Sequence, residues 1–314
     1  MFAIGIDIGG MSVKAGLVSE RGEIISKNRR ETADSAELLV KNAAEQINEI
    51  LNEKKLSVKD IKGIGIGSPG IIDSVHGVVK AACNLPFSEF DIVSEMKKYF
   101  DVPVKVSNDA NVAALGETIF GCAKDYNNSV MFTLGTGVGG GVVIDNKLYE
   151  GGSSMGCELG HVTLVAGGLP CNCGRKGCIE SYCSATALIR QTKEEMLNDK
   201  KSSMWDFVNN DIDKVDGRTA FECSKEGDAS ANTVVNNYVM YLSEAIMSML
   251  NIFRPEAVIL GGGVSAQKQY LTDKIKVYCK KYKYGYEGTP APEILTATLG
   301  NDAGIIGAAA LIYS

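Results

Sequence analysis

The sequence predicts a two-domain α/β protein, and three observations carry that reading. The chain has 314 residues, enough for two domains with a core each. Apolar strand-like runs hand over repeatedly to segments of helical periodicity. A strand–glycine turn–strand unit occurs twice, roughly 130 residues apart, once in each half. A hydrophobic content of 45% with 22% charge is ordinary for a globular chain, so disordered and fibrous classes drop out.

Charge and apolar patterning remove further classes. A net charge of −6 argues against a general nucleic-acid or anionic-membrane binder. No apolar run reaches the length of a membrane span. The opening M-F-A-I-G-I-D lacks the basic region and small-residue cleavage site of a signal peptide. Nine cysteines, an odd number, point to a reducing compartment, and the cytoplasm is expected.

The first half opens with a strand over 2–7 ending in D-I-G-G, a returning strand in S-V-K-A-G-L-V, and a third in G-E-I-I-S-K-N. A glycine hairpin beside an aspartate can offer backbone N–H groups to phosphate, with the carboxylate near Mg²⁺. An ordinary hairpin is the other reading. Lys14 either adds charge there or faces solvent. Residues 34–54 carry an apolar helical face through Leu39, Ala43, Ile47 and Ile50. A strand over 61–67 then meets the turn Ser68-Pro69-Gly70. Asn84-Leu85-Pro86-Phe87 is a loop before a helix expected over 88–99. A short strand over 104–106 delivers S-N-D-A-N and the start of another helix.

Asp109 therefore sits where a strand hands over to a helix. Asn108 or Asp109 can be a helix N-cap, accepting a backbone N–H. Asp109 can also be a general base at a strand's carboxyl end, where α/β proteins bind ligands. On the residues alone the cap is the more ordinary reading, and the adjacent pair can divide both roles.

The second half opens with a strand over 130–134, then G-T-G-V-G-G-G and V-V-I-D-N-K-L-Y. Gly135, Gly137 and Gly140 match the dinucleotide fingerprint, but that fingerprint needs a helix next and a β-branched strand follows. The protein-kinase glycine loop fails too, since V-A-I-K, H-R-D and D-F-G are missing. No Walker A loop is present. What remains is the second glycine turn, and two such turns can grip a polyphosphate from opposite sides. One helical segment is expected over 182–196 and a core helix over 229–253. Residues 198–216, with Trp205, carry no readable chemistry. A strand over 256–260 leads to G-G-G-V-S, and a strand over 294–297 leads to a last helix over 303–312 capped by Asp302.

Between these lies Glu158 to Glu180. It holds His161 and three cysteines, Cys171, Cys173 and Cys178, within eight residues. An even scatter of nine cysteines would put about 0.2 in such a window, so the cluster calls for a reason. Zinc takes four tetrahedral sulfur or imidazole ligands, and Cys3His is one such set. Gly174 and Gly177 let the chain turn back so that Cys178 reaches the same ion. Reduced cysteines near an unrelated histidine are the alternative. A saturated ion is structural, and its task would be to pin Glu158 and Glu180 around something else.

Taken together, D-I-G-G-M-S-V-K, S-N-D-A-N, L-G-T-G-V-G-G-G, E-L-G-H, C-N-C-G-R-K-G-C-I-E and G-G-G-V-S resemble the ROK family of bacterial sugar kinases and repressors, its glucokinase branch most. The resemblance covers nearly the whole chain. It implies an actin-like ATPase (ribonuclease H-like) fold, two α/β domains around a central cleft. The small domain would be 1–117 rejoined by 302–314, the large one 118–301. Asp109 becomes the catalytic base, against the cap favoured on residues alone. Gly70, Asn84, Asn108, Glu158, His161 and Glu180 match sugar-contacting positions, with His161 also on zinc. Asp7, Gly9 and Gly10, with Gly135, Thr136 and Gly137, match the phosphate loops, where Ser12 and Lys14 also lie. Gly261, Gly262 and Gly263 match the adenosine side.

One departure stands out: Met11 occupies a place where the family commonly has Thr, so a hydroxyl near the phosphates is lost, with Ser12 as a substitute. The implied activity is ATP- and Mg²⁺-dependent phosphorylation of a hexose 6-hydroxyl, glucose first. Fructose, N-acetylmannosamine or N-acetylglucosamine are alternatives, as is polyphosphate as donor. A sugar-sensing repressor is the remote alternative. It normally carries an added N-terminal helix-turn-helix, whereas here the phosphate hairpin starts near residue 4. A homodimer or higher homo-oligomer is a family expectation.

Overall fold

In chain order the elements are β1 (Phe2–Ile8), β2 (Ser12–Ser19), β3 (Ile24–Glu31), α1 (Ala36–Glu53), β4 (Ile61–Ser68), β5 (Ile71–Asp73), β6 (Val78–Ala81), β7 (Ser88–Asp91), α2 (Ile92–Lys97), β8 (Val104–Asn108) and α3 (Asp109–Ile119). They continue as β9 (Ser129–Leu134), β10 (Val138–Ile144), β11 (Lys147–Leu148), α4 (Glu180–Cys183), α5 (Ala185–Asn198), α6 (Met204–Phe207), α7 (Thr219–Lys225), α8 (Ala229–Phe253), β12 (Ala257–Gly261), α9 (Gln269–Tyr282), β13 (Glu293–Thr296) and α10 (Ala303–Tyr313). The computed structural model describes every residue except 83–84 and 286–288. Two units emerge: 1–129 with 141–157 and 297–314, and 130–140 with 158–296. The first thus takes in 118–129, 141–157 and 297–301 beyond the segments expected from the sequence.

In the first unit the sheet runs β3-β2-β1-β4-β8. β1, β2 and β3 are antiparallel neighbours, while β4 and β8 run parallel to β1. Helix α1 covers one face. Ser35 caps it by accepting the Leu38 N–H, and Leu39, Val40, Ala43, Ile47, Ile50 and Leu51 are buried. Each such aliphatic side chain stabilises by roughly 1.5–3 kcal/mol on burial. The other face meets α10, whose backbone comes unusually near. A Cβ on Gly5 would lie 1.9 Å from the Ile305 carbonyl oxygen, and one on Gly65 would lie 1.7 Å from that of Ala308. Glycine is required there because the helix rests on the strand backbone.

The start of α10 is anchored by a buried carboxylate. Glu117, 0% exposed, accepts the amides of Thr298 (2.8 Å), Leu299 (2.7 Å) and Cys122 (3.0 Å). Asp302 makes no cap hydrogen bond, contrary to expectation; its carboxylate is held by Lys27 at 2.7 Å. A small sheet β5-β6-β7 also escaped the sequence reading. The helix expected from residue 88 begins only at Ile92, because Ser88–Asp91 pairs with β6 and Asp91 then caps α2 through the Ser94 N–H.

In the second unit the first residues of β10, then β9, β12 and β13, lie side by side, with β12 and β13 parallel. Helix α8 is its apolar spine. Tyr238 on it is fully buried, and its hydroxyl donates to the Cys183 carbonyl at 2.6 Å. The segment expected as one helix over 182–196 is two, α4 and α5. The chain extends at Ser184 (ψ 162°), which caps α5 through the Ala187 N–H. Among the described residues no helix is long and apolar enough to cross a membrane.

Candidate active site

The first unit holds the β1–β2 turn and the β8–α3 corner. In the turn, Gly9 donates its amide to the Ser12 carbonyl at 2.9 Å. Gly9, one of the positions matched to the phosphate loops, thus spends its amide inside the turn. Thr32 at the end of β3 completes the brace, its hydroxyl donating to the Gly9 carbonyl at 2.6 Å and its amide to the Met11 carbonyl at 3.3 Å. Gly10, Met11 and Ser12 follow at the tip, and Met11 is 83% exposed. Lys14 is partly exposed and donates to the Asn301 carbonyl at 3.4 Å. Its ammonium pairs with Asp7 Oδ2 at 2.9 Å, the two side chains facing one way across β1 and β2. Thr32 was missed because it is distant in sequence, and only the strand register brings it to the turn.

At the corner, Asn108 and Asp109 both accept the Ala110 amide. Asn108 is the N-cap: its Oδ1 accepts the amides of Ala110 at 2.9 Å and Asn111 at 3.4 Å. Its Nδ2 donates to the Gly70 carbonyl at 3.1 Å. Gly70 has φ +108°, and a Cβ there would meet the Ala81 carbonyl oxygen at 2.2 Å, so no other residue fits. Asp109 opens α3, and its Oδ1 also accepts the Ala110 amide at 2.9 Å. Its surface is accessible to water. Even so, desolvation by the surrounding protein raises its pKa above the ordinary value, and the Asp7 charge adds to the rise. Surface contact and depth in the protein are different quantities, and here both hold. Glu150 braces the strand end before Asn108, accepting the hydroxyls of Ser107 at 2.6 Å and Ser74 at 2.7 Å. No motif in the sequence marked it. Asn84 lies outside the described residues.

The second unit holds the other glycine turn and the cysteine knuckle. Gly135 N–H closes the turn on the Gly137 carbonyl at 3.0 Å. Glu180 reaches this turn, its Oε2 accepting the Val138 amide at 3.0 Å. A Cβ on Gly137 would lie 2.3 Å from that oxygen, which explains glycine there. Glu158 ends the approach to a short 3-10 turn, Leu159–His161, that presents the imidazole. Arg175 holds this turn by donating to the His161 carbonyl at 3.2 Å and the Thr163 hydroxyl at 2.9 Å.

His161, Cys171, Cys173 and Cys178 come together with their ligand atoms all within 4.8 Å of one another. His161 Nδ1 lies 3.6 Å from Cys171 Sγ, and Cys173 Sγ lies 3.7 Å from Cys178 Sγ. A tetrahedron of about 2.3 Å zinc–sulfur and about 2.0 Å zinc–nitrogen bonds has edges of roughly 3.5–3.8 Å, so the donor set fits. Gly174 (φ +87°) and Gly177 (φ +78°) make the reversals. The Nδ1 side faces the sulfurs, which leaves Nε2 for a different partner.

At the end of β12 the three glycines differ. Gly262 (φ +79°) packs against the Leu134 backbone, where a Cβ would come within 2.5 Å of its carbonyl oxygen. Ser265 returns a hydroxyl hydrogen bond to the Gly262 carbonyl at 2.7 Å. A Cβ on Gly263 would meet nothing within 4 Å, so this is the open face of the turn.

The chain can now be set beside known proteins. It is 36% identical over 313 residues to a glucokinase of Halalkalibacterium halodurans, spanning 98% of this chain and 94% of that one. It is 30% identical to a xylose repressor of Bacillus subtilis, spanning 99% of this chain and 77% of the repressor. A ROK family glucokinase from Streptomyces griseus, solved with glucose and AMPPNP, superposes with a TM-score of 0.79 at 32% identity, over 99% of each chain. The fold is the mixed α/β, actin-like ATPase architecture of the ROK kinases. Residues 3–314 match the model of the ROK family, and the chain belongs to that family.

Proposed function

We propose that this chain transfers the γ-phosphoryl group of ATP to the 6-hydroxyl of a hexose, glucose first. The observation that carries the reading is Asp109. Its carboxylate stands water-accessible at the carboxyl end of the parallel strand β8, fixed by the Asn108 cap, with its pKa raised. A general base needs that combination of access, fixed geometry and a tuned proton affinity. The identity to glucokinases supports the choice of sugar kinase.

Asp109 accepts the proton of the attacking hydroxyl as its oxygen approaches the phosphorus. Asn108, Glu158, His161 through Nε2, and Glu180 hold the other sugar hydroxyls and orient the ring. Gly10 and Met11 amides in one turn, and Thr136 and Gly137 amides in the other, receive phosphate oxygens. Such prearranged dipoles supply most of the stabilisation in phosphoryl transfer. Gly263 gives the adenosine a side-chain-free surface. Asp7 would hold Mg²⁺ through Oδ1, since Lys14 occupies Oδ2, and a bound Mg²⁺ neutralises developing phosphate charge. Zinc on His161, Cys171, Cys173 and Cys178 would cross-link the segment that carries Glu158 and Glu180. The free thiols fit a cytoplasmic protein, and we extend the family expectation of a homodimer to this chain.

A coupled ADP-release assay with Mg-ATP tests the reading across glucose, fructose, mannose, N-acetylglucosamine and N-acetylmannosamine. Preference for glucose supports it, preference for another sugar changes only the acceptor, and no turnover with any of them sinks it.

A further inference from the structure

The glycine turn Gly135–Val138 is tied to one short segment three times. Ala185 donates its amide to the Gly135 carbonyl at 2.8 Å. Thr186 donates its hydroxyl to the Thr136 carbonyl at 2.8 Å. Val138 donates its amide to Glu180 at 3.0 Å. Both tethering residues open α5, whose cap, Ser184, follows directly on Cys183, pinned from the core by Tyr238. The platform is therefore rigid.

The geometry of the peptide unit gives these ties a consequence. In a planar trans peptide the C=O and N–H point in opposite directions. Anchoring the Gly135 carbonyl aims the Thr136 amide away from α5. Anchoring the Thr136 carbonyl does the same for the Gly137 amide. Two successive amides turned outward form a nest for an anionic oxygen. The first tie is a backbone donor that any residue at 185 except proline would supply. The second depends on a side chain, and that side chain has no place among the substrate contacts.

We infer that Thr186 is a positioning residue for phosphate-donor binding: its hydroxyl holds the Thr136 carbonyl and so aims the Gly137 amide at the phosphate. This rests on the kinase reading above. The residue acts through the backbone and touches no substrate.

Three full-length proteins test it: wild type, Thr186→Val, which keeps the shape and removes the hydroxyl, and Thr186→Ser, which keeps the hydroxyl. Thr186→Val is expected to raise the ATP KM roughly three- to tenfold, the effect of one lost neutral hydrogen bond. Its glucose KM should stay within about twofold, and Thr186→Ser should restore the ATP KM. Thermal stabilisation by AMPPNP, measured without turnover, should shrink in Thr186→Val and return in Thr186→Ser. An unchanged ATP KM and AMPPNP shift in Thr186→Val overturns the inference, as does an equal loss for glucose and nucleotide. If the wild type binds AMPPNP but turns over no sugar, the kinase reading fails and the AMPPNP shifts alone decide the role of Thr186. If the wild type does not bind AMPPNP, both fall.

Discussion

Glu180 accepts the Val138 amide on Oε2 at 3.0 Å while its Oε1 sits 3.6 Å from the Cys171 sulfur. One carboxylate thereby joins the glycine turn to the cysteine knuckle. Glu180→Ala leaves the Val138 amide without its acceptor and removes the sugar contact proposed for this carboxylate. The expected result is a rise in both the ATP and the sugar KM, with kcat/KM down by about 10- to 100-fold, the range for losing a charged hydrogen bond. Glu180→Gln keeps an acceptor for the amide, so its ATP KM should move less. Steady-state kinetics of the pair checks this, and an ATP KM unchanged in Glu180→Ala would remove Glu180 from the turn's support.

Asp109 makes a prediction in two directions. Asp109→Asn removes the proposed base and should lower kcat by about 10²- to 10⁴-fold with sugar affinity retained. The same change should raise the thermal midpoint at pH 7. The folded-state pKa lies above the unfolded one, so ionised Asp109 opposes folding. That cost is absent below the unfolded pKa, grows as pH rises through the folded value, and is complete above it. The stability gain of the variant should accordingly shrink as pH falls toward 4. Wild-type turnover should also fail on the acid side at a higher pH than an ordinary carboxylate would give. A variant retaining more than a few per cent of turnover with normal sugar binding would not fit a base at this position.

The contrast between these residues shows what a sequence can disclose. The grouping of His161, Cys171, Cys173 and Cys178 was legible because a short knuckle brings together in space residues already close in the chain. Helix α8 was legible to the residue at both ends, because Asp228 caps it and its apolar periodicity runs unbroken to Arg254, which turns left-handed at φ 49°. The β5-β6-β7 sheet was not, since its strands are three or four residues long and too short to show an alternation. The roles of Lys14, Thr32 and Glu150 were hidden for a different reason. Each depends on a partner brought near by strand register or by a chain return, and Glu150 meets Ser74 across 76 positions. Asp302 looked like a cap because it precedes a helix, but the sequence carries no sign of Lys27, 275 positions away.

The proposed zinc site can be tested by metal analysis and by removal of a ligand. One zinc per chain is expected by elemental analysis. Cys178→Ser, which disrupts the buried member of the set, should lose the ion and lower the thermal midpoint. Hydrogen exchange should rise over 158–180 and stay unchanged in β1 to β4. Zinc-free protein with unaltered exchange over 158–180 would show that the knuckle holds its shape without metal.

Glu117 tests stability apart from catalysis. Its carboxylate is buried and satisfies the amides of Cys122, Thr298 and Leu299. Glu117→Ala strands those donors away from water, at about 1–3 kcal/mol for each left unpaired. Partial relaxation keeps the sum below simple addition, and about 3–5 kcal/mol is expected from urea unfolding. Glu117→Gln keeps acceptor capacity at one oxygen and should lose less.

Met11 is the last test, because it sits on the turn tip where a hydroxyl is missing. The side chain is 83% exposed, so replacing it creates neither cavity nor clash. Thr32 holds the carbonyls of Gly9 and of Met11 itself, so the backbone path should survive substitution. Met11→Thr adds one donor beside the Gly10 and Met11 amides, in a place where phosphate oxygens would lie under the kinase reading. A roughly two- to tenfold fall in the ATP KM is expected, with the glucose KM and the thermal midpoint unchanged. Ser12→Ala provides the control. If Ser12 already supplies the missing hydroxyl, its removal raises the ATP KM in the native background and has less effect beside Thr at position 11. An ATP KM indifferent to both changes would mean that this turn binds phosphate through backbone amides alone, and that the methionine costs the enzyme nothing.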